Sequence, residues 1–138
     1  MADDKAEPIR RLNPPELGNP PGYSQIVEVR ASRIAFIAGQ TALDSDGEVV
    51  GRNDFSAQAE QVFRNLSAAL KSVECTASNL VKLTVFVRDM AHLQTYREAR
   101  NRFFATVIPA AAPAITLVEV SKLYGPDFLI EIEAVAAI

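Results

Sequence analysis

Hydrophobic positions along this chain recur with two periods, and the switches between them mark out its elements. From Phe55 to Val73 the apolar residues Ala59, Val62, Phe63, Leu66, Leu70 and Val73 follow a spacing of three and four. That spacing predicts an amphipathic helix, with Asp54 placed as its N-cap. Residues 81–87 alternate instead: Leu83, Val85 and Val87 fall on one face and Lys82, Thr84 and Phe86 on the other, the period of a strand. Asp89 then caps a second helix with the stripe Leu93, Tyr96, Arg100, Phe103, Phe104 and Val107, which ends before Pro109. Two last strands are predicted over residues 115–120 and 128–136, separated by a loop containing Gly125-Pro126.

Ahead of the first helix, Pro14-Pro15 and Asn19-Pro20-Pro21-Gly22 mark an irregular loop, since proline restricts its predecessor and removes a donor. Strands are predicted over residues 24–29 and 34–38, joined by a short turn around Ala31-Ser32, and Asp44-Ser45-Asp46-Gly47 reads as a turn. Taken as a whole the order is β-β-β-α-β-α-β-β, an α+β fold with a mixed sheet and both helices on one face. One domain over residues 9–138, preceded by a polar and mobile segment over residues 1–8, accounts for the chain.

That arrangement leaves one face of the sheet without helices. In the last strand Phe128, Ile130, Ile132 and Ala134 share one side, while Leu129, Glu131, Glu133 and Val135 share the other, which is neither clean core nor clean surface. Thr116, Val118 and Val120 have the same mixed character. An isolated copy would leave much apolar sheet in water, so self-association is expected.

Composition narrows the class. The chain has 138 residues, 49% apolar and 22% charged, which suits one globular domain. Lys and Arg number 14 against 17 Asp and Glu, a formal net charge of −3, and the basic residues are scattered apart from Arg97, Arg100 and Arg102. This counts against a nucleic-acid-binding surface. No apolar run is long enough to cross a membrane, and Met1-Ala2-Asp3-Asp4-Lys5 lacks the regions of a secretory signal, so a cytoplasmic protein is expected. Cys75 is the only cysteine and His92 the only histidine, so one subunit can build neither an internal disulfide nor a multi-histidine metal site; no metal or cofactor is expected. Phosphate-loop glycine patterns are absent.

Six short motifs then occur in order: Tyr23-Ser24-Gln25, Ala38-Gly39-Gln40, Gln58, the strand Val81 to Val87 with Asp89 behind it, Pro113-Ala114-Ile115-Thr116-Leu117-Val118-Glu119-Val120, and Ile130-Glu131-Ile132-Glu133-Ala134. This set resembles the RidA/YjgF family, also labelled endoribonuclease L-PSP or translation inhibitor, over roughly residues 12 to 136. The resemblance implies a chorismate-mutase-like fold, a homotrimer with sheets facing an internal axis, and small-molecule clefts between subunits. Its best-known members hydrolyse reactive enamines and imines to 2-keto acids and ammonia.

Residue by residue, the resemblance implies that Glu131 positions or activates the hydrolytic water, that Tyr23 lines the cleft, and that the backbone of Gly39 approaches the ligand. Each has a plain structural alternative: an ion-paired strand glutamate, an aromatic anchor after a Pro-Gly loop, and a turn glycine of unusual φ. Where the family pattern has an arginine after Pro-Ala to clamp a carboxylate, this chain has Ile115, which offers neither charge nor donor. Thr116 beside it is a further binding candidate. Arg97 falls where many members have an asparagine facing the cleft, and could restore anion binding there or simply be solvated. Cys75, near the end of the first helix where the family usually shows glycine, reads as packing. Three functions compete: a hydrolase of an imine, enamine or related metabolite with specificity altered by Ile115; a noncatalytic trimer binding a small metabolite; and an endoribonuclease or translation inhibitor, which the net charge opposes.

Overall fold

The computed structural model of the protein describes residues 8–107 and 112–138, so the predicted behaviour of residues 1–7 lies outside it. Among the described residues six strands and two α-helices occur in chain order, besides three short 3-10 turns: β1 (Ile9–Leu12), β2 (Ile26–Val29), β3 (Ile34–Gln40), α1 (Phe55–Ser72), β4 (Leu80–Val87), α2 (Leu93–Phe104), β5 (Ala114–Glu119) and β6 (Ile130–Ala137). Four strands form one mixed sheet in the order β3-β6-β4-β5, in which only β4 and β5 run parallel, joined by the crossover through α2. Both helices pack on one face, and the α+β architecture follows the predicted order.

The first of the three early strands, to which the hydrophobic pattern assigns no range, is β1. It pairs with β2 in a separate antiparallel ribbon, Ile9 opposite Val29. Although only a short turn separates β2 from β3, the two do not pair: β3 lies against β6. Ser24, expected inside β2, leaves that strand and makes a parallel bridge to Ala114 at the edge of the main sheet. Its N–H donates to the Pro113 carbonyl at 3.0 Å and its hydroxyl to the Ala112 carbonyl at 2.5 Å.

Local chemistry explains the helix ends. The Asp54 carboxylate accepts the Ala57 N–H at 3.1 Å, and Asp89 accepts the Ala91 N–H at 2.9 Å in a short 3-10 turn leading into α2. At the C-terminus of α1 the chain turns through Glu74 in the left-handed region, φ 61°, and the Cys75 N–H closes onto the Leu70 carbonyl at 2.8 Å. The backbone there that would suit glycine is that of Glu74, one residue before Cys75. The Asp44 turn forms as expected, with Gly47 at φ 76°.

The core lies between the helices and the sheet. Val62, Leu66, Leu83, Val85, Ile130, Ile132 and Ala136 are fully enclosed, and Phe63 stacks on Phe103 at 4.7 Å to join the two helices. Buried Gln58 ties three segments together. Its amide N–H2 donates to the carbonyls of Gly51 and Asp127 at 3.0 and 2.8 Å, and its oxygen accepts the Leu129 N–H at 2.9 Å. A family motif residue on α1 thereby holds the entry to β6. Among the described residues no helix covers the opposite sheet face, and Phe36 on it is 81% exposed.

Candidate functional site

Glu131 and Gly39 meet across the β3–β6 ladder. Ile37 pairs with Ala134 but Gln40 with Ile132, so β3 advances three residues while β6 advances two, and Gly39 sits in that bulge. A Cβ on Gly39 would stand 2.8 Å from Cδ and 2.9 Å from Oε1 of Glu131. Glycine thereby leaves the Glu131 carboxyl its place, which any side chain would have to displace; its φ lies outside the positive region, so the unusual-φ alternative does not describe it. Half-buried Glu131 has its carboxyl pushed above the usual carboxylate range, first by desolvation and then by the Glu133 charge. A carboxylate raised in this way can take and return a proton nearer neutrality.

Beyond Gly39 a hollow of about 570 Å³ opens, lined by Gln40, Thr41, Asp44, Asn65 and Tyr124 among others. The hydroxyls of Thr41 and Tyr124 are hydrogen-bonded at 2.6 Å. Neither residue was a candidate from sequence, because nothing local links positions so far apart in the chain.

The other candidates gather at the far edge of the sheet. Tyr23, half-buried, is held there by the bonds from Ser24 to the start of β5. Ile115 pairs with fully enclosed Leu83 and packs against the core, so it lies on the helix side of β5. Thr116 points the other way and accepts the Lys82 ammonium at 2.7 Å. Adjacent strand residues face opposite sides, so Ile115 and Thr116 do not share a wall. On the Thr116 side, Lys82, Thr84, Glu133, Val135 and Phe36 line a hollow of about 320 Å³.

Glu131 aligns with Phe86 on β4, which aligns with Val118 on β5. Two strand spacings, about 10 Å, therefore part Glu131 from β5, and it lies on the face opposite Ile115. One copy of the chain does not bring Glu131 and Gly39 into one cleft with Tyr23 and Ile115.

Arg97 is exposed on α2. Arg100, three residues on, is only 7% exposed. Its guanidinium lies over the Tyr96 ring at 5.7 Å and against the backbone of Gly22, where a Cβ would stand 2.9 Å from Cζ. Burial raises the Tyr96 phenol to about 12 despite the opposing Arg100 charge. A cation in an otherwise apolar stripe was the available signal for Arg100. Elsewhere, buried Cys75 has its thiol pushed up by desolvation, the opposite of an activated thiolate. His92 stacks on Phe55 at 4.5 Å. Among the described residues no three metal-ligating side chains cluster, and no helix is long and apolar enough to cross a membrane.

A family model described as Endoribonuclease L-PSP matches residues 16–138. The chain belongs to this family, the RidA/YjgF family. Among RidA/YjgF relatives, a RutC family protein of Synechocystis is 37% identical over 117 residues, 84% of this chain and 85% of the relative. The human 2-iminobutanoate/2-iminopropanoate deaminase is 35% identical over 115 residues, covering 83% and 78%. The crystal structure of the Rid family protein YyfB of Yersinia pestis superposes with a TM-score of 0.85 at 33% identity, over 96% of this chain and all of that one. Membership of the RidA/YjgF family thus rests on sequence and on fold together.

Proposed function

We propose that this chain is a RidA-like hydrolase that deaminates an imine, enamine or related small metabolite, with Glu131 handling the water. The observation that carries this reading is the Gly39–Glu131 contact: a glycine leaves room on the strand for a carboxyl group whose proton affinity is raised. Deaminase relatives at 35–37% identity support the reaction class. Because Glu131 lies on the interior strand β6 and Tyr23 beside the far edge of the same copy, the reading calls for a cleft shared between copies, Glu131 and Gly39 coming from one and Tyr23 from its neighbour. The trimer that the resemblance implies would supply such a cleft, and it would cover the open sheet face.

Ile115 is the departure. Packed toward the core, it gives its part of the wall an apolar surface where a carboxylate clamp would otherwise stand. The same feature favours a second reading, a noncatalytic trimer holding a metabolite. Ammonia and keto-acid release from freshly generated 2-iminopropanoate and 2-iminobutanoate, corrected for spontaneous hydrolysis, separates the two. Activity lost in Glu131→Ala supports the hydrolase. An inactive protein that gains activity in Ile115→Arg points to an intact cleft tuned to another ligand.

A further inference from the structure

Arg10, Arg33, Arg52 and Arg102 all pair with acids, and their side chains are 50–59% exposed. Arg100 inverts that pattern. It is nine-tenths buried, and among the described residues no carboxylate pairs with it. A guanidinium carries five N–H donors, and a buried charge without a counter-ion is costly to keep. Among the described residues what it has is weak: the Asn101 side-chain oxygen at 3.3 and 3.4 Å, longer than the usual charge-assisted bond, and the ring face and nearby hydroxyl of Tyr96.

The surroundings are shaped around this cation. Gly22, at φ 80°, admits the guanidinium against its backbone, and any side chain there would collide with it. Tyr23 follows directly, and Ser24 is bonded to Pro113 and Ala112, just before Ile115. The chain thus lacks a guanidinium at position 115 and keeps another, short of an acid partner, beneath the neighbouring loop.

We propose that Arg100 is the anion anchor of the cleft and that its ligand is a small carboxylate, of the 2-imino or 2-oxo acid class. A planar carboxylate can accept two parallel N–H bonds from the guanidinium, completing the donor set that Asn101 leaves under-used. The assignment rests on the deaminase reading for its substrate class, but the binding step can be measured apart from turnover.

The probe is pyruvate, the hydrolysis product of 2-iminopropanoate, titrated into the full protein by calorimetry. In parallel, the Arg100 Nε–H resonance of the unmodified protein is followed by NMR, so that the test survives a variant that fails to fold. Saturable binding that shifts this resonance, and that weakens on the order of tenfold or more in Arg100→Gln while Arg102→Ala keeps it, supports the anchor. Partial recovery in Arg100→Lys would support it further, through the charge. A resonance that does not respond, unchanged affinity in folded Arg100→Gln, or affinity lost instead in Arg97→Ala overturns it. Inorganic phosphate binding as tightly as pyruvate overturns the carboxylate assignment. If Arg100→Gln binds pyruvate normally while hydrolysis still depends on Glu131, the anchor falls and the hydrolase stands. If pyruvate binding depends on Arg100 but imines are not hydrolysed, the anchor stands and the hydrolase falls.

Discussion

Strand β6 has two faces of opposite design. Ile130, Ile132, Ala134 and Ala136 point at the helices and are 0–3% exposed, whereas Glu131, Glu133 and Val135 point away and keep access to solvent. Both sets occupy the same eight residues, so one strand supplies the centre of the core and the carboxyl group of the candidate site. The lesson is that the site is built on a strand paired on both sides, where a rigid frame can hold a single carboxyl group against a glycine. The two faces should therefore fail in different ways.

The largest contrast is between neighbours. On the hydrolase reading, Glu131→Gln should lower imine turnover by roughly 10²–10⁴-fold while leaving the fold intact, as judged by circular dichroism. Ile132→Ala, one residue along, should cost about 2–5 kcal/mol of stability in denaturant titrations through lost burial and a cavity. Equal loss of activity and stability in both variants would dissolve the distinction between the faces.

Gln58→Ala removes the clamp at the entry to β6 and strands the Leu129 N–H. A loss of roughly 1–3 kcal/mol is expected by chemical denaturation. Gly39→Ala sharpens the comparison at the site itself. Its Cβ would press on the free end of the Glu131 side chain, which can swing aside, so activity should fall about tenfold or more from misplacement while the melting temperature barely moves. A large drop in melting temperature would instead make Gly39 a structural glycine.

The smallest effect is one of pH. The Glu131 carboxyl is raised in the folded state, so the folded protein holds that proton more tightly than the unfolded chain does. Its favourable contribution is present below the ordinary carboxylate range and is lost as pH rises through the raised value. Glu131→Gln should thus melt slightly higher than the parent at pH 7, and the gain should vanish below about pH 4, near the unfolded carboxyl value. A gain that grows on acidification would contradict the desolvation account.

Sequence patterning was most reliable where local periodicity decides structure. The stripes of both helices up to Leu70 and Phe104, the alternation in β4 and β6, and the cap of Asp54 were legible because each depends on neighbours within a turn or two; Val73 and Val107 fall beyond the helix ends, and Asp89 caps the 3-10 turn before α2 instead of α2 itself. Pairing was not. β2 joins β1, and Ser24 crosses to the start of β5, because four-residue strands carry too little pattern to choose among partners brought together by the whole fold. The same limit applies to the candidate site. Glu131 and Gly39 could each be picked from a motif, but their contact depends on a bulge in the register. Arg100 could be read as part of a helix stripe, but not as a cation lodged under Gly22.

The strand order β3-β6-β4-β5 has one more consequence, for the history of each molecule rather than its finished form. An interior strand of the sheet, β6, is the last of the described strands in chain order, and its two neighbours never pair with each other. Until β6 arrives, β3 and β4 each present an open edge to the surroundings. Newly made chains are therefore most vulnerable to mispairing just before completion of the sheet, and the step that seats β6 also assembles the Gly39–Glu131 contact.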